Sequence, residues 1–382
     1  MRIAFVVDIV GGDTGGGIVS ADRFIAALRQ HHEVTVVATG EPAPGKVVLP
    51  AWHPPVHVAK AHHFAFALPA ASVLENVIAD SDIVHAHLPF LCGIQALRIA
   101  EELHKPSVAA FHVQPENILY NIGIHSPVAA HWLYRRWISL FYEHASAVVC
   151  PSAFALNRLR EHGLTVPAHV ISNGVAPVPR GRRQHHHDGP LVVLCVGRLA
   201  PEKRQDVVMD AVARSQHRDN IRLIIAGFGP QEEQLREHAK RLNLPVEMGY
   251  LSDTALHEAY ASADVFVHAS EIELEGMSVL EAMASGLPVL IADATESAAS
   301  LVAPGPDFLF RAGDADDLAA KLDRVLSSPA MRADASHASL NYAAHHRLAA
   351  STLQLEQLYA SLVRKARAAS MPPRVPHFHG AA

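Results

Sequence analysis

The chain has 382 residues, 49% of them hydrophobic, which suits two ordinary cores better than one and argues against wholesale disorder. Its formal net charge of -6 counts against a general nucleic-acid binder, which should be basic. Three dispersed cysteines, Cys92, Cys150 and Cys195, match no metal spacing and no disulfide framework, and fit a reduced, cytoplasmic setting.

The first element is a strand, Ile3 to Val7, too short for a secretory leader because it runs at once into an acid and a glycine loop. That loop, Gly11-Gly12-Asp13-Thr14-Gly15-Gly16-Gly17, precedes a helix expected from about Val19. Glycines let backbone amides approach a phosphate, and a helix start adds the positive end of a dipole. The loop is neither a Walker A sequence nor a clean dinucleotide fingerprint, and on its own it reads equally well as a plain turn.

Further strands are expected at Val34 to Ala38, Ile83 to Ala86, Ser107 to Phe111 and Ala147 to Cys150, each followed by a helical pattern. Near-continuous apolar strands alternating with helices imply a parallel sheet covered on both faces. From Pro177 to Pro190 the chain turns polar and rich in Pro, Gly and His, the composition of a linker. The alternation restarts with Leu191 to Val196, Arg222 to Ala226, Val246 to Met248, Val265 to His268 and Val289 to Ile291. The fold class is therefore α/β, with two Rossmann-like doubly wound halves. Expected boundaries are an N-terminal domain over 1–176, a linker over 177–190 and a C-terminal domain over 191–349. A last helix over 350–368 and a disordered tail over 369–382 follow. No stretch is long and apolar enough to span a bilayer.

Three motifs carry the chemistry. The glycine loop is the first. In the second, Val196-Gly197-Arg198-Leu199-Ala200-Pro201-Glu202-Lys203, a strand end presents Arg198 and Lys203, five positions apart. Two fixed cations there suit a diphosphate, although alone they would pass for a solvated turn. The third is Ser270-Glu271-Ile272-Glu273-Leu274-Glu275-Gly276-Met277-Ser278-Val279-Leu280-Glu281, in which Glu273 and Glu281 are separated by seven residues. Glu271 and Glu275 read as acidic charges at a helix start. Glu281 does not, because it falls inside an apolar helical stretch, where a carboxylate is costly unless paired. A ribose diol is a suitable partner.

Together these motifs resemble the family-4 retaining glycosyltransferases of the GT-B fold, from Met1 to the helix near Arg367. Ser152, Asn173-Gly174-Val175 and Ala226-Gly227-Phe228-Gly229-Pro230 agree with that resemblance. It implies that Arg198 and Lys203 hold the donor diphosphate and Glu281 the ribose hydroxyls. Glu273 and the backbone of Gly276, Met277 and Ser278 would hold the donor sugar. Gly16, or its neighbours Gly15 and Gly17, would face the phosphate from the first half, and His112 would stand beside the donor sugar. The sequence departs from the family's usual Pro-Phe or Gly-Phe after the first acid, having Leu274-Glu275 instead.

The implied activity is transfer of a hexose, with retention, from a nucleotide diphosphate sugar to an acceptor hydroxyl. UDP-sugars are the favoured donors. No cofactor is implied, and no Asp-x-Asp pair calls for a metal. Tracts around Phe111 to Gly123 and Glu271 to Ser278 resemble enzymes near the diacylglycerol glucosyltransferases, which makes a glycolipid acceptor at an anionic membrane surface a candidate. The helix His131 to Tyr142, with Trp132, Trp137, Arg135 and Arg136, and the segment Trp52 to Phe66 are candidate interfacial elements. The competing reading for the helix is core-facing aromatics with snorkelling arginines. Glu116 is a minor candidate nucleophile. Rival functions are a polysaccharide or small-molecule glycosyltransferase, a GT-B sugar-nucleotide epimerase and a non-catalytic nucleotide-sugar-binding protein.

Overall fold

The computed structural model describes residues 1–11, 15–53, 65–176 and 189–369. The middle of the glycine loop, most of the Trp52 to Phe66 segment, the histidine run and the tail lie outside the described residues.

The first sheet holds seven parallel strands in the order β3-β2-β1-β6-β7-β8-β9. They are β1 (Arg2–Val6), β2 (Glu33–Ala38), β3 (Lys46–Val48), β6 (Ile83–Ala86), β7 (Ser107–Ala110), β8 (Ala147–Cys150) and β9 (Ala168–Val170). A two-stranded antiparallel pair, β4 (Ala51–Trp52) and β5 (Phe66–Ala67), sits beside it. The helices of this half are α1 (Gly16–Leu28), α2 (Ala71–Ala79), α3 (Leu91–Glu102), α4 (Pro115–Asn121), α5 (Pro127–Leu140) and α6 (Ala153–Glu161). Residues 3–6 of β1 and all of β6, β7 and β8 are buried, as expected where helices cover both faces of a parallel sheet. Helix α1 begins at Gly16, three residues earlier than the apolar pattern places it.

The second sheet has six parallel strands in the order β12-β11-β10-β13-β15-β17. They are β10 (Leu191–Val196), β11 (Ile221–Ala226), β12 (Val246–Gly249), β13 (Val265–His268), β15 (Val289–Asp293) and β17 (Leu309–Arg311), with a small side pair, β14 (Ile272–Glu273) and β16 (Glu296–Ser297). Around them lie α7 (Gln205–Arg214), α8 (Glu232–Leu242), α9 (Asp253–Ser262), α10 (Met277–Ala284), α11 (Ala315–Ser327) and α12 (Pro329–Ala343).

Helix α13 (Leu348–Ala369) follows the second half in sequence but not in space. Leu355, Leu358, Tyr359, Leu362 and Val363 pack into the first half's core beside Phe5, Ile18, Phe24 and Leu28. The chain therefore crosses between the halves twice. Where it does so, Val175 donates to the His346 carbonyl (2.7 Å) and accepts from the Leu348 amide (3.0 Å).

Both strand orders reverse direction once, between β1 and β6 in the first sheet and between β10 and β13 in the second. Beyond the carboxyl ends of strands at such a reversal, the departing loops leave a crevice. The glycine loop follows β1, the Arg198 turn follows β10 and the acidic loop follows β13.

Candidate active site

On the first-half side, α1 starts after Gly15 with no side chain capping its first turn. Gly17 packs close against His112: a Cβ there would lie 3.3 Å from the His112 Cβ, a tight contact. His112, just beyond β7, stacks on His87 with ring centroids 4.1 Å apart. Burial, with the neighbouring His87 and His85, pushes its pKa well below the ordinary imidazole value. At neutral pH His112 is therefore an uncharged hydrogen-bonding group, not a cation.

On the second-half side, each predicted cation is matched to a carboxylate. The Arg198 guanidinium donates to Glu202, a carboxylate with 0% side-chain exposure, and approaches Asn117 Oδ1 of the first half at 3.4 Å. The Lys203 ammonium donates to Glu273. His268 Nε2 stands 3.2 Å from the same Glu273 oxygen. Burial alone would raise the Glu273 pKa, but Lys203 and His268 outweigh it and hold the carboxyl below its usual range. An ionised, buried Glu273 thus depends on those two neighbours.

Gly276 supplies the left-handed backbone (φ 81°) that ends the acidic loop and opens α10, a conformation that costs other residues about 1 kcal/mol or more. The helix carries Met277, Ser278 and Glu281. A Cβ at Gly16 would lie 3.4 Å from the Met277 sulfur, so the glycine loop and the head of α10 face each other across the halves. Glu281 accepts from Arg23 Nη2 of α1 at 2.6 Å and from the buried Tyr260 hydroxyl at 3.2 Å.

Arg23, Tyr260, Glu202 and His268 were not legible as site residues. Arg23 falls on the polar side of α1, and Glu202 sits in a turn whose composition reads as solvated. Two readings are corrected. Glu275 is not a solvated charge at a helix start, because it is 7% exposed and accepts from the Asn173 amide of the first half at 3.0 Å. Glu271 pairs with Arg204, a residue held at φ 50° between the Arg198 turn and α7. Glu116 is also engaged: Arg158 Nη2 donates to it at 2.6 Å and the Tyr134 hydroxyl at 3.0 Å. Those bonds leave it poorly available as a nucleophile.

The aromatic helix α5 divides between the two readings offered for it. Tyr134 and Trp137 are buried, whereas Trp132 (65%) and Val128 (79%) are exposed beside the exposed Arg135 and Arg136. Among the described residues no helix is long and apolar enough to cross a membrane.

A family model described as Glycosyltransferase Family 4 matches residues 14–178, and one described as Glycosyl transferases group 1 matches residues 179–341. The GDP-mannose-dependent alpha-mannosyltransferase of Mycolicibacterium smegmatis is 33% identical, over 77% of this chain and 80% of its own length. The alpha-monoglucosyldiacylglycerol synthase of Streptococcus pneumoniae is 29% identical, over 55% of this chain and 51% of its own. Among solved structures, Anabaena Alr3699/HepE in complex with UDP-glucose aligns with a TM-score of 0.74 and 19% identity, over 94% of this chain and 100% of that one. The two doubly wound halves define the GT-B architecture, and the protein is a glycosyltransferase. The chain belongs to the family-4 glycosyltransferases.

Proposed function

We propose that the protein transfers a hexose, with retention of anomeric configuration, from a nucleotide diphosphate sugar to the hydroxyl of a membrane lipid. The observation that carries the donor half of this reading is the pair of cations in one turn after β10, Arg198 and Lys203, each held by a carboxylate. A diphosphate competes for those cations, and as the sugar leaves, its growing charge is met by groups already in place. Glu281, held by Arg23 and Tyr260, is the acceptor for the ribose hydroxyls. Glu273 and the backbone of Gly276, Met277 and Ser278 face the sugar. Gly15, Gly16 and Gly17 face the phosphates from the opposite side, and neutral His112 donates to a sugar hydroxyl.

With Glu116 engaged, the retaining route runs on one face of the sugar. The acceptor oxygen bonds to the anomeric carbon on the side the diphosphate leaves. The carbon–oxygen bond to phosphate breaks with its electron pair going to the phosphate, and that phosphate oxygen takes the acceptor proton. The protein's part is positioning and charge stabilisation.

The M. smegmatis relative's name makes GDP-mannose the first donor to test, ahead of the UDP-sugars that the sequence favours. In a thermal-shift panel of GDP-, UDP-, ADP- and TDP-sugars, one nucleotide class should raise the melting temperature, as any ligand confined to the folded state must. Glu281→Ala should raise the KM for that donor about tenfold or more, the scale of a lost charged hydrogen bond. No shift with any nucleotide sugar overturns the reading.

The lipid half is supported by the Ile122–Trp132 surface. Ile122, Ile124, Val128 and Trp132 are exposed there, with Arg135 and Arg136 alongside, a pattern suited to an anionic interface. The S. pneumoniae relative's name points the same way. The protein should float with anionic vesicles and lose that binding in Trp132→Ala. Absence of co-flotation removes the lipid acceptor in favour of a soluble saccharide.

A further inference from the structure

A line of buried polar groups joins the last helix to the glycine loop. The Tyr359 hydroxyl of α13 lies 2.6 Å from His85 Nδ1, His85 Nε2 lies 3.2 Å from His87 Nδ1, and His87 Nε2 lies 2.8 Å from the carbonyl of Gly17. Phe5 stacks on the His85 ring, at 4.3 Å between centroids, and His112 stacks on His87. Tyr359, His85 and His87 are all buried, so water does not compete for these bonds.

The chemistry of the far end fixes the direction of the line. A carbonyl only accepts, so His87 must carry its proton on Nε2. Burial holds both imidazoles well below their ordinary pKa, His87 at about 4, and a neutral ring has one bare nitrogen. His87 Nδ1 therefore accepts, His85 donates from Nε2, and the bare His85 Nδ1 accepts from Tyr359. Each donor points from the last helix toward Gly17, the residue packed beneath His112.

We propose that Tyr359 is a positioning residue for the transfer reaction, acting through His85 and His87 to set the backbone of Gly17 and, with it, His112. The inference rests on the site reading given above, and it makes a residue from the end of the chain part of the support of the first-half wall. Tyr359→Phe removes one hydroxyl and leaves the ring. It should lower kcat about tenfold, the scale of a small misplacement of reacting groups, while nucleotide diphosphate affinity by calorimetry, set largely by Arg198 and Lys203, stays within about twofold. Val363→Ala, a packing change on the same helix, should leave kcat unaltered.

Nitrogen NMR of the wild-type protein supplies a readout that needs no turnover: both His85 and His87 should carry the proton on Nε2. Unchanged kcat in Tyr359→Phe, or a His87 protonated on Nδ1, overturns the proposal. An equal loss of kcat in Val363→Ala also overturns it, by reducing the effect to helix docking. Failure of the site reading registers separately, as full turnover in Lys203→Ala with the tautomers as expected.

Discussion

Replacing Arg198 or Lys203 by alanine is expected to lower turnover roughly 10²-fold or more, the cost of removing one preorganised charge-stabilising group. Steady-state and single-turnover rates check this, and the loss should fall on kcat, since these cations gain most as charge builds on the departing diphosphate. The two substitutions differ in their side effects. Removing Arg198 strands Glu202, which has no exposed surface and whose other side-chain partner is Asn121 Nδ2 at 3.3 Å. An uncompensated buried charge costs about 3–5 kcal/mol, so Arg198→Ala should also lower the melting temperature. Combining it with Glu202→Gln should restore much of the stability but none of the turnover. Lys203→Ala frees Glu273, which keeps His268 beside it, and should disturb stability less. Turnover within threefold of wild type in the stable double variant would falsify the assignment of Arg198.

The second large effect concerns stability and pH. Burial pushes the Glu275 carboxyl up to about 7, against hydrogen bonds from Ser172 and the Asn173 amide that favour its charged form. Because the folded protein holds this proton more tightly than the unfolded chain, protonated Glu275 stabilises the fold. That contribution is complete below the ordinary carboxylate value and declines as pH rises toward about 7. The swing is on the order of 3 kcal/mol. Glu275→Gln keeps an acceptor for the Asn173 amide and removes the charge. It should therefore raise the melting temperature by several degrees at pH 8 and change it little at pH 5. An equal shift at both pH values removes Glu275 as the source. The same acid lies in the loop that the first half grips, with Ser152 donating to the Leu274 carbonyl at 2.5 Å, so the pH dependence reports on contact between the halves.

Much of the architecture was legible because the physics is repetitive. Runs such as Ile3 to Val7 and Val289 to Ile291 are apolar throughout, as strands of a sheet covered on both faces are, and their alternation with helices points to parallel pairing. Glu281 stood out because a carboxylate inside an apolar helical run demands a partner. The identity of that protein partner was not legible. Arg23 lies 258 positions away on another element, and no local pattern marks which polar residue of α1 meets α10. Glu275 misled for a related reason: an acid one residue before a helix-opening glycine looks like a favourable charge on the dipole. Its hydrogen-bond partner, the Asn173 amide, arrives from the other half. The paired cations were read as a motif, but Glu273, which restrains Lys203 from 70 positions away, belongs to tertiary packing, and only burial by the surrounding fold sets Glu202, four positions from Arg198, apart from a solvated acid.

The double crossing between the halves has a mechanical consequence. The outgoing and returning chain segments lie side by side, joined through Val175 to His346 and Leu348, and the returning helix is anchored in the first half's core. Held together at Val175, these two segments tie the halves along one edge rather than at a single free point. An edge fixed in this way favours one alignment of the facing walls, the one that sets Arg23 against Glu281 and Gly16 against Met277.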